Sequence, residues 1–109
     1  MIDLSQLGPV ALEGTDAVLV PVFDPRLRTF SVQLWEHGMP SHIHGLLEDF
    51  RYADEPVASI DGFLAEQGLR ALTGDESDRL YVGLVHAKGG PDWTLLVASL
   101  GAHEAYEQD

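Results

Sequence analysis

The sequence predicts one α+β domain: an antiparallel sheet of about five strands with two helices packed on one face, in the order β-β-β-α-α-β-β. A chain of 109 residues can bury a single hydrophobic core. Residues 10–37 have strand-like patterns, residues 41–74 repeat apolar positions at helical spacing, and residues 80–100 contain two apolar runs around a glycine-containing loop. Strands and helices that are segregated along the chain are typical of this fold class.

The first three strands are predicted in the N-terminal third. Residues 10–13 and 17–23 flank Gly14-Thr15-Asp16, a composition that predicts a hairpin. Because Pro21 has no N–H to donate, we expect its strand to lie at an edge or a bulge there. Residues 29–37 alternate apolar and polar side chains, which predicts a half-buried strand.

Two helices are predicted in the middle of the chain. The first covers residues 41–53, with Ser41 as its N-cap and apolar side chains at i, i+3, i+4 and i+7, namely Ile43, Leu46, Leu47 and Phe50. Pro56 is expected to end it, because the residue before a proline is disfavoured in the helical region. The second begins at Ser59 and runs to Gly74; if it ends at Gly68 instead, residues 69–73 form an extra strand.

The last two strands are predicted over residues 80–87 and 93–100, joined by a hairpin loop over residues 88–92. Both faces of this hairpin are apolar, with Leu80, Val82 and Leu84 on one side and Tyr81 and Val85 on the other. Helices can cover one face. The other face needs a second cover, and the sequence therefore predicts a homodimer.

Composition excludes several functional classes. The chain has no cysteine, so disulfides, thiolate catalysis and cysteine-ligated metals are excluded. Eighteen acidic residues against six basic ones give a net charge of −12, which argues against direct binding to DNA or RNA. The start of the sequence shows neither a signal peptide nor a membrane span, so we expect a cytoplasmic protein. Motifs for a serine nucleophile or a phosphate loop are missing, and no cofactor is predicted.

The acidic residues concentrate in the predicted helical half. Nine carboxylates lie between Glu48 and Asp78, against only Arg51 and Arg70. This distribution is similar, in electrostatics only, to proteins that block basic nucleic-acid-binding sites, such as immunity proteins and phage-encoded inhibitors. It predicts a non-enzymatic protein that docks on a basic protein partner, while a solvated helix layer is the plainer alternative. The predicted partner-binding residues are Glu48, Asp49, Asp54, Glu55, Asp61 and Glu66.

A histidine cluster supports a second hypothesis. His37, His42 and His44 fall within eight residues, and His44 and Glu48 are spaced i, i+4. Two histidines and a carboxylate can bind a metal ion, so His37, His44 and Glu48 are candidate ligands, with His42 or His86 nearby. This would make the chain a small-ligand or metal-binding module, conceivably an enzyme. A third hypothesis is a self-associating structural subunit.

Overall fold

A computed structural model describes the backbone of residues 8–107 and the side chains of residues 8–99. The α+β class is confirmed, but over these residues the fold has four strands and three helices, not five strands and two helices. The elements are β1 (Val10–Ala11), β2 (Val18–Asp24), β3 (Thr29–Glu36), β4 (Met39–His44), α1 (Asp54–Glu66), α2 (Gly74–Lys88) and α3 (Gly90–Glu107). The strands form an antiparallel meander in the order β1-β2-β3-β4.

The predicted N-terminal hairpin is present as β1 and β2. Strand β1 is short and pairs only with Val18 and Leu19 of β2. Pro21 therefore has a strand partner, Val32, on one side only, and lies at an edge as its missing N–H requires.

The helix predicted over residues 41–53 is wrong: residues 45–53 belong to no helix or strand, and residues 41–44 lie in β4. A two-residue turn joins it to β3, with His37 at φ 55° and Gly38 at φ 76°. Two consecutive left-handed residues match the right-handed twist of paired strands, which is why such turns make tight hairpins. Ser41, the predicted N-cap, lies instead at an irregularity in the pairing of β3 with β4, and its hydroxyl donates to the Leu34 carbonyl over 3.2 Å.

Helix α1 begins at Asp54, where the sequence predicts the first helix to end, so the start predicted for the second helix, Ser59, lies inside α1. Pro56 is in its first turn, where a backbone N–H has no partner within the helix, so proline is tolerated there. The helix ends at Glu66, and Gly68 follows at φ 75°. The preferred longer helix to Gly74 is thus wrong, and residues 69–73 are neither helix nor strand.

Both C-terminal strands are wrong, because residues 74–107 form α2 and α3. Thr73 caps α2 by accepting from the Glu76 N–H, and the Glu76 side chain accepts in return from the Thr73 N–H. This reciprocal pair satisfies two of the N–H groups that a helix start leaves open. The residues predicted as a hairpin loop contain the break between the two helices at Gly89.

The helices pack on one face of the sheet. Leu19, Phe30, Val32 and Leu34 on that face meet Ile60, Leu64, Leu80 and Leu84 from α1 and α2, and all are at most 2% exposed. Each fully buried side chain of this kind contributes about 1.5–3 kcal/mol. Helix α2 can approach β2 closely because Gly83 has no side chain: a Cβ there would lie 2.9 Å from Pro21 Cγ.

This packing removes the surface on which the homodimer was predicted. Val85, assigned to an outward face of a strand, is buried in the core on α2, and so are Leu80 and Leu84. A residue pattern that is apolar on both sides suits a helix enclosed between a sheet and another helix as well as it suits a central strand. The helices within residues 8–107 include none that is long and apolar enough to cross a bilayer.

Candidate functional site

The three clustered histidines occupy different environments along the β3–β4 hairpin. His37 is in the turn, with its side chain 86% exposed, and Nδ1 pairs with the Asp16 carboxylate. His42 is exposed on β4. His44, at the end of β4, is buried at 7% exposure on the helix-covered face. His37 and His44 are therefore separated by the length of an entire strand.

The predicted metal site is not assembled. Seven residues along an extended chain span about 23 Å, far beyond the reach of two ligands of one ion. Glu48 lies near His44, but His37 does not join them. Within the described part of the chain, no three His, Cys, Asp or Glu side chains are grouped to hold a metal ion.

His44 is held in place by aromatic packing and one hydrogen bond. Its ring is 4.8 Å from that of Phe63 in a stacked arrangement and 5.1 Å from that of Phe50. Nε2 is 2.8 Å from the Ser59 hydroxyl. Burial lowers the pKa of His44, while the nearby carboxylates of Glu48 and Glu66 raise it in part. The net effect favours the neutral imidazole at neutral pH.

The direction of the His44–Ser59 hydrogen bond follows from the surroundings of the hydroxyl. Ser59 Oγ also lies 3.2 Å from the Glu55 carbonyl, one helical turn earlier, and a carbonyl can only accept. The hydroxyl therefore donates to Glu55 and accepts from the Nε2–H of His44. A nucleophilic serine needs a histidine that accepts its proton, so this pair positions the ring and does not activate the serine.

Some of the predicted partner-binding carboxylates form hydrogen bonds or ion pairs within the described fold, and others do not. Glu55 accepts from the backbone N–H groups of Arg51 and Tyr52, each over 2.9 Å, and so fixes the approach to α1. Asp61 accepts from the Leu72 N–H over 2.9 Å and anchors the connection to α2.

Asp49 pairs with Arg51 over 2.9 Å. For Glu48, Asp54 and Glu66, the residues that the structure describes provide no ion-pair or hydrogen-bond partner, and all three are exposed. Three of the six predicted partner-binding carboxylates thus have no such partner among the described residues, and we call these three uncommitted.

Two of these uncommitted carboxylates line one cleft. Glu48 follows β4 and Glu66 ends α1, and between them an open cleft of about 370 Å³ has His44 and Phe63 in its wall. Its full lining is Ile43, His44, Glu48, Ser59, Gly62, Phe63 and Glu66, without a lysine or arginine. We call it the acidic cleft. No protein-family model, curated protein or solved structure matches this chain.

An ion pair between a buried carboxylate and a partly exposed arginine was missed in the sequence. Glu76 is 2% exposed, and both its carboxylate oxygens accept from Arg70, over 2.8 and 2.9 Å. The same carboxylate accepts from the Thr73 N–H over 2.9 Å and the Glu13 N–H over 3.3 Å. The Arg70 guanidinium therefore lowers the pKa of Glu76 to about 2. The signal was the Thr-x-x-Glu spacing of Thr73 and Glu76, a capping box.

This ion pair ties three parts of the fold together. Besides Glu76, Arg70 donates to the Glu13 carbonyl over 2.8 Å and to the Ala71 carbonyl over 2.8 Å. The β1–β2 turn, the α1–α2 connection and the start of α2 thus share one network. Since every polar group in it is satisfied, its role is structural rather than catalytic.

Proposed function

We propose that this chain is a non-enzymatic binding protein that uses its acidic surface to dock on a basic protein partner and to cover the partner's basic site. The observation that carries the proposal is the acidic cleft, where Glu48 and Glu66 come from separate elements and no lysine or arginine of the described residues is in the lining. Exposed Asp54, at the opposite end of α1 from Glu66, adds to the negative charge of the helical side.

The chemistry of the acidic cleft suits an arginine or lysine side chain. Carboxylates bind a guanidinium through charged hydrogen bonds. The Phe63 ring is stacked on His44, so the carboxylates rather than the ring supply the attraction. A cation from outside would therefore find two carboxylates in one place, whereas an anionic ligand would be repelled.

The distribution of charge over the whole helical side of the molecule also favours a basic protein partner. The cations in this region are engaged within the chain, Arg51 with Asp49, Arg70 with Glu76, Arg79 with Asp75 and Lys88 with Asp92. The surplus negative charge speeds encounter with a positively charged protein.

The first experiment captures partners from a lysate of the source organism on the immobilised chain and measures their association rates. A variant with Glu48→Gln and Glu66→Gln keeps the shape of the acidic cleft and removes its charges. We expect about tenfold weaker binding of a basic partner, mainly through a slower on-rate, because such charges act on encounter.

A matched variant with Glu36→Gln and Asp78→Asn removes the same number of charges elsewhere. It should bind with nearly unchanged affinity. Equal effects of the two variants would mean that only net charge matters, and unaltered binding in both would refute the acidic cleft as the docking site.

A further inference from the structure

The buried ring of His44 carries one nitrogen that the described fold does not use. Nε2–H donates to the Ser59 hydroxyl, so the neutral imidazole has an unshared electron pair on Nδ1. No residue that the structure describes donates to Nδ1, and this atom is not sealed from solvent. Because His44 is 7% exposed and lies in the wall of the acidic cleft, the unshared pair is available to a donor that enters the cleft.

Gly62, in the interior of α1, also lines the acidic cleft. Glycine is less favourable than alanine inside a helix, so a helical glycine usually answers a positive φ or a close neighbour. Neither reason applies to Gly62: its φ is not positive, and a Cβ built there would meet no atom within 4 Å. Glycine also allows a ligand to approach the backbone closely. The residue therefore indicates space that a ligand of the cleft can use.

The side chains that line the acidic cleft offer acceptors and no free donor. The acceptors are the carboxylates of Glu48 and Glu66 and Nδ1 of His44, whereas the Ser59 hydroxyl already donates to the Glu55 carbonyl. These three acceptors are not grouped closely enough to hold one metal ion. A lysine ammonium is compact as well, because all its N–H groups are on one nitrogen. A guanidinium has five N–H groups that diverge in a plane and can reach separate acceptors, so the arrangement favours arginine over lysine.

We propose that the acidic cleft is selective for an arginine side chain, whose guanidinium donates to the two carboxylates and to Nδ1 of His44. Its aliphatic stem passes over Gly62. This inference rests on the proposed function and narrows it, because the basic partner must then place an arginine in the cleft. The carboxylates supply the attraction for any cation, and the neutral Nδ1 supplies the preference for a donor that extends beyond them.

The test is an NMR titration of the isotope-labelled chain with N-acetyl-arginine methylamide and, separately, with N-acetyl-lysine methylamide. The two probes have the same backbone and the same net charge, so a difference between them reports the side chain. The backbone resonances of Gly62 and Glu66 should shift with both probes. We expect the arginine probe to bind about fivefold more tightly, since one added hydrogen bond contributes on that order.

Two substitutions at His44 separate the acceptor from the ring. His44→Phe keeps an aromatic ring beside Phe63 and removes Nδ1. His44→Asn loses the ring but keeps an acceptor, because Oδ1 of asparagine, like Nδ1 of histidine, is bonded to Cγ. We expect His44→Phe to lower the affinity for the arginine probe to that for the lysine probe, which it should leave nearly unchanged. His44→Asn should retain a preference for arginine, which a purely structural role of the ring does not predict.

Gly62→Leu fills the space in front of α1. Leucine is preferred to glycine inside a helix, so the urea midpoint should rise while binding of the arginine probe is lost. Opposite changes in stability and binding show that the loss does not come from unfolding. Gly74→Leu is the matched control: Gly74 is also helical, a Cβ there also meets no atom within 4 Å, and it is not in the lining of the cleft. This control should bind the arginine probe normally.

Equal affinity of the wild type for the two probes would overturn the proposal. So would a preference for arginine that His44→Phe leaves intact, or undiminished binding in Gly62→Leu. A basic protein captured from the lysate that depends on Glu48 and Glu66, but not on His44 or Gly62, would leave the docking proposal standing and overturn this one. Selective binding of the arginine probe without capture of any basic protein would support the arginine site and refute the docking proposal.

Discussion

Glu76 is a buried charge whose surroundings satisfy it completely. Arg70 supplies two hydrogen bonds, and two backbone N–H groups supply the others. Removing one partner of a buried ion pair leaves the other without compensation, which costs more than the pair itself contributes. The free energy of unfolding should therefore depend strongly on this one carboxylate.

We predict that the free energy of unfolding falls in acid as Glu76 becomes protonated. Its pKa is about 2 in the folded protein, against an ordinary value of 4.5. Because the folded pKa is the lower one, the stabilisation is complete above pH 4.5 and is lost as the pH falls toward 2. It amounts to about 2–3 kcal/mol once solvent screening at Arg70 is allowed for.

The measurement is urea unfolding as a function of pH. Glu76→Gln should unfold more easily at neutral pH and lose less stability than the wild type between pH 4.5 and 2. Asp78→Asn, an exposed acid two residues away, should retain the wild-type profile. An acid profile of Glu76→Gln as steep as that of the wild type would contradict this prediction.

At the scale of single residues, the sequence indicated which side chains lie near each other but not what each of them does. His44 and Glu48 do lie near each other, but His37 is a strand's length away and the His44 ring is stacked on Phe63. Spacing cannot distinguish these outcomes, because both need a histidine near a carboxylate. The position of α1 over β4 decides between them, and that is a tertiary feature.

Among the elements, the hairpin of β3 and β4 shows how a turn overrides a periodic pattern. Ile43, Leu46 and Leu47 have helical spacing, yet all three are exposed and Ile43 is in a strand. The two left-handed residues His37 and Gly38 reverse the direction of the chain, so that β4 runs antiparallel to β3. Pairing with β3 then holds residues 39–44 in the strand conformation. Gly38 directly after a strand was the available signal.

Helix α2 depends on its cap. Thr73→Ala removes the hydroxyl that accepts from the Glu76 N–H, and we expect a loss of about 1 kcal/mol in the free energy of unfolding. Thr94→Ala makes the same chemical change near the start of α3, where the hydroxyl donates to the Gly90 carbonyl, and should cost less. Urea midpoints compare the two. Equal losses would show that the capping contact contributes nothing specific.

The C-terminal third was predicted as strands because its period is ambiguous. Residues 80–85 are apolar on successive positions, as expected for a strand covered on both faces or for an enclosed helix. The cap at Thr73 and the break at Gly89 favour the helix, and both are visible in the sequence. The predicted α+β class was correct despite this error, because the N-terminal strands form a sheet without the C-terminal third.

For the whole molecule, the net charge of −12 has a predictable effect on stability. Like charges repel more strongly in the compact state than in the unfolded chain. Sodium chloride should therefore raise the urea midpoint between low and physiological ionic strength, because screening weakens the repulsion. The variant with Glu48→Gln and Glu66→Gln should show a smaller rise. A midpoint that salt leaves unchanged or lowers would contradict the argument.

The edges of the sheet limit how copies of this chain can assemble. Beyond Leu19 the outer edge of β2 has no paired strand among residues 8–107, and Pro21 lies on it; Pro40 and a pairing irregularity interrupt β4 at the opposite edge. A fibril grows by adding strands to an unbroken row of backbone donors and acceptors, and each proline removes one donor from that row. Both edges of the sheet, as residues 8–107 form it, are therefore poor templates for amyloid growth.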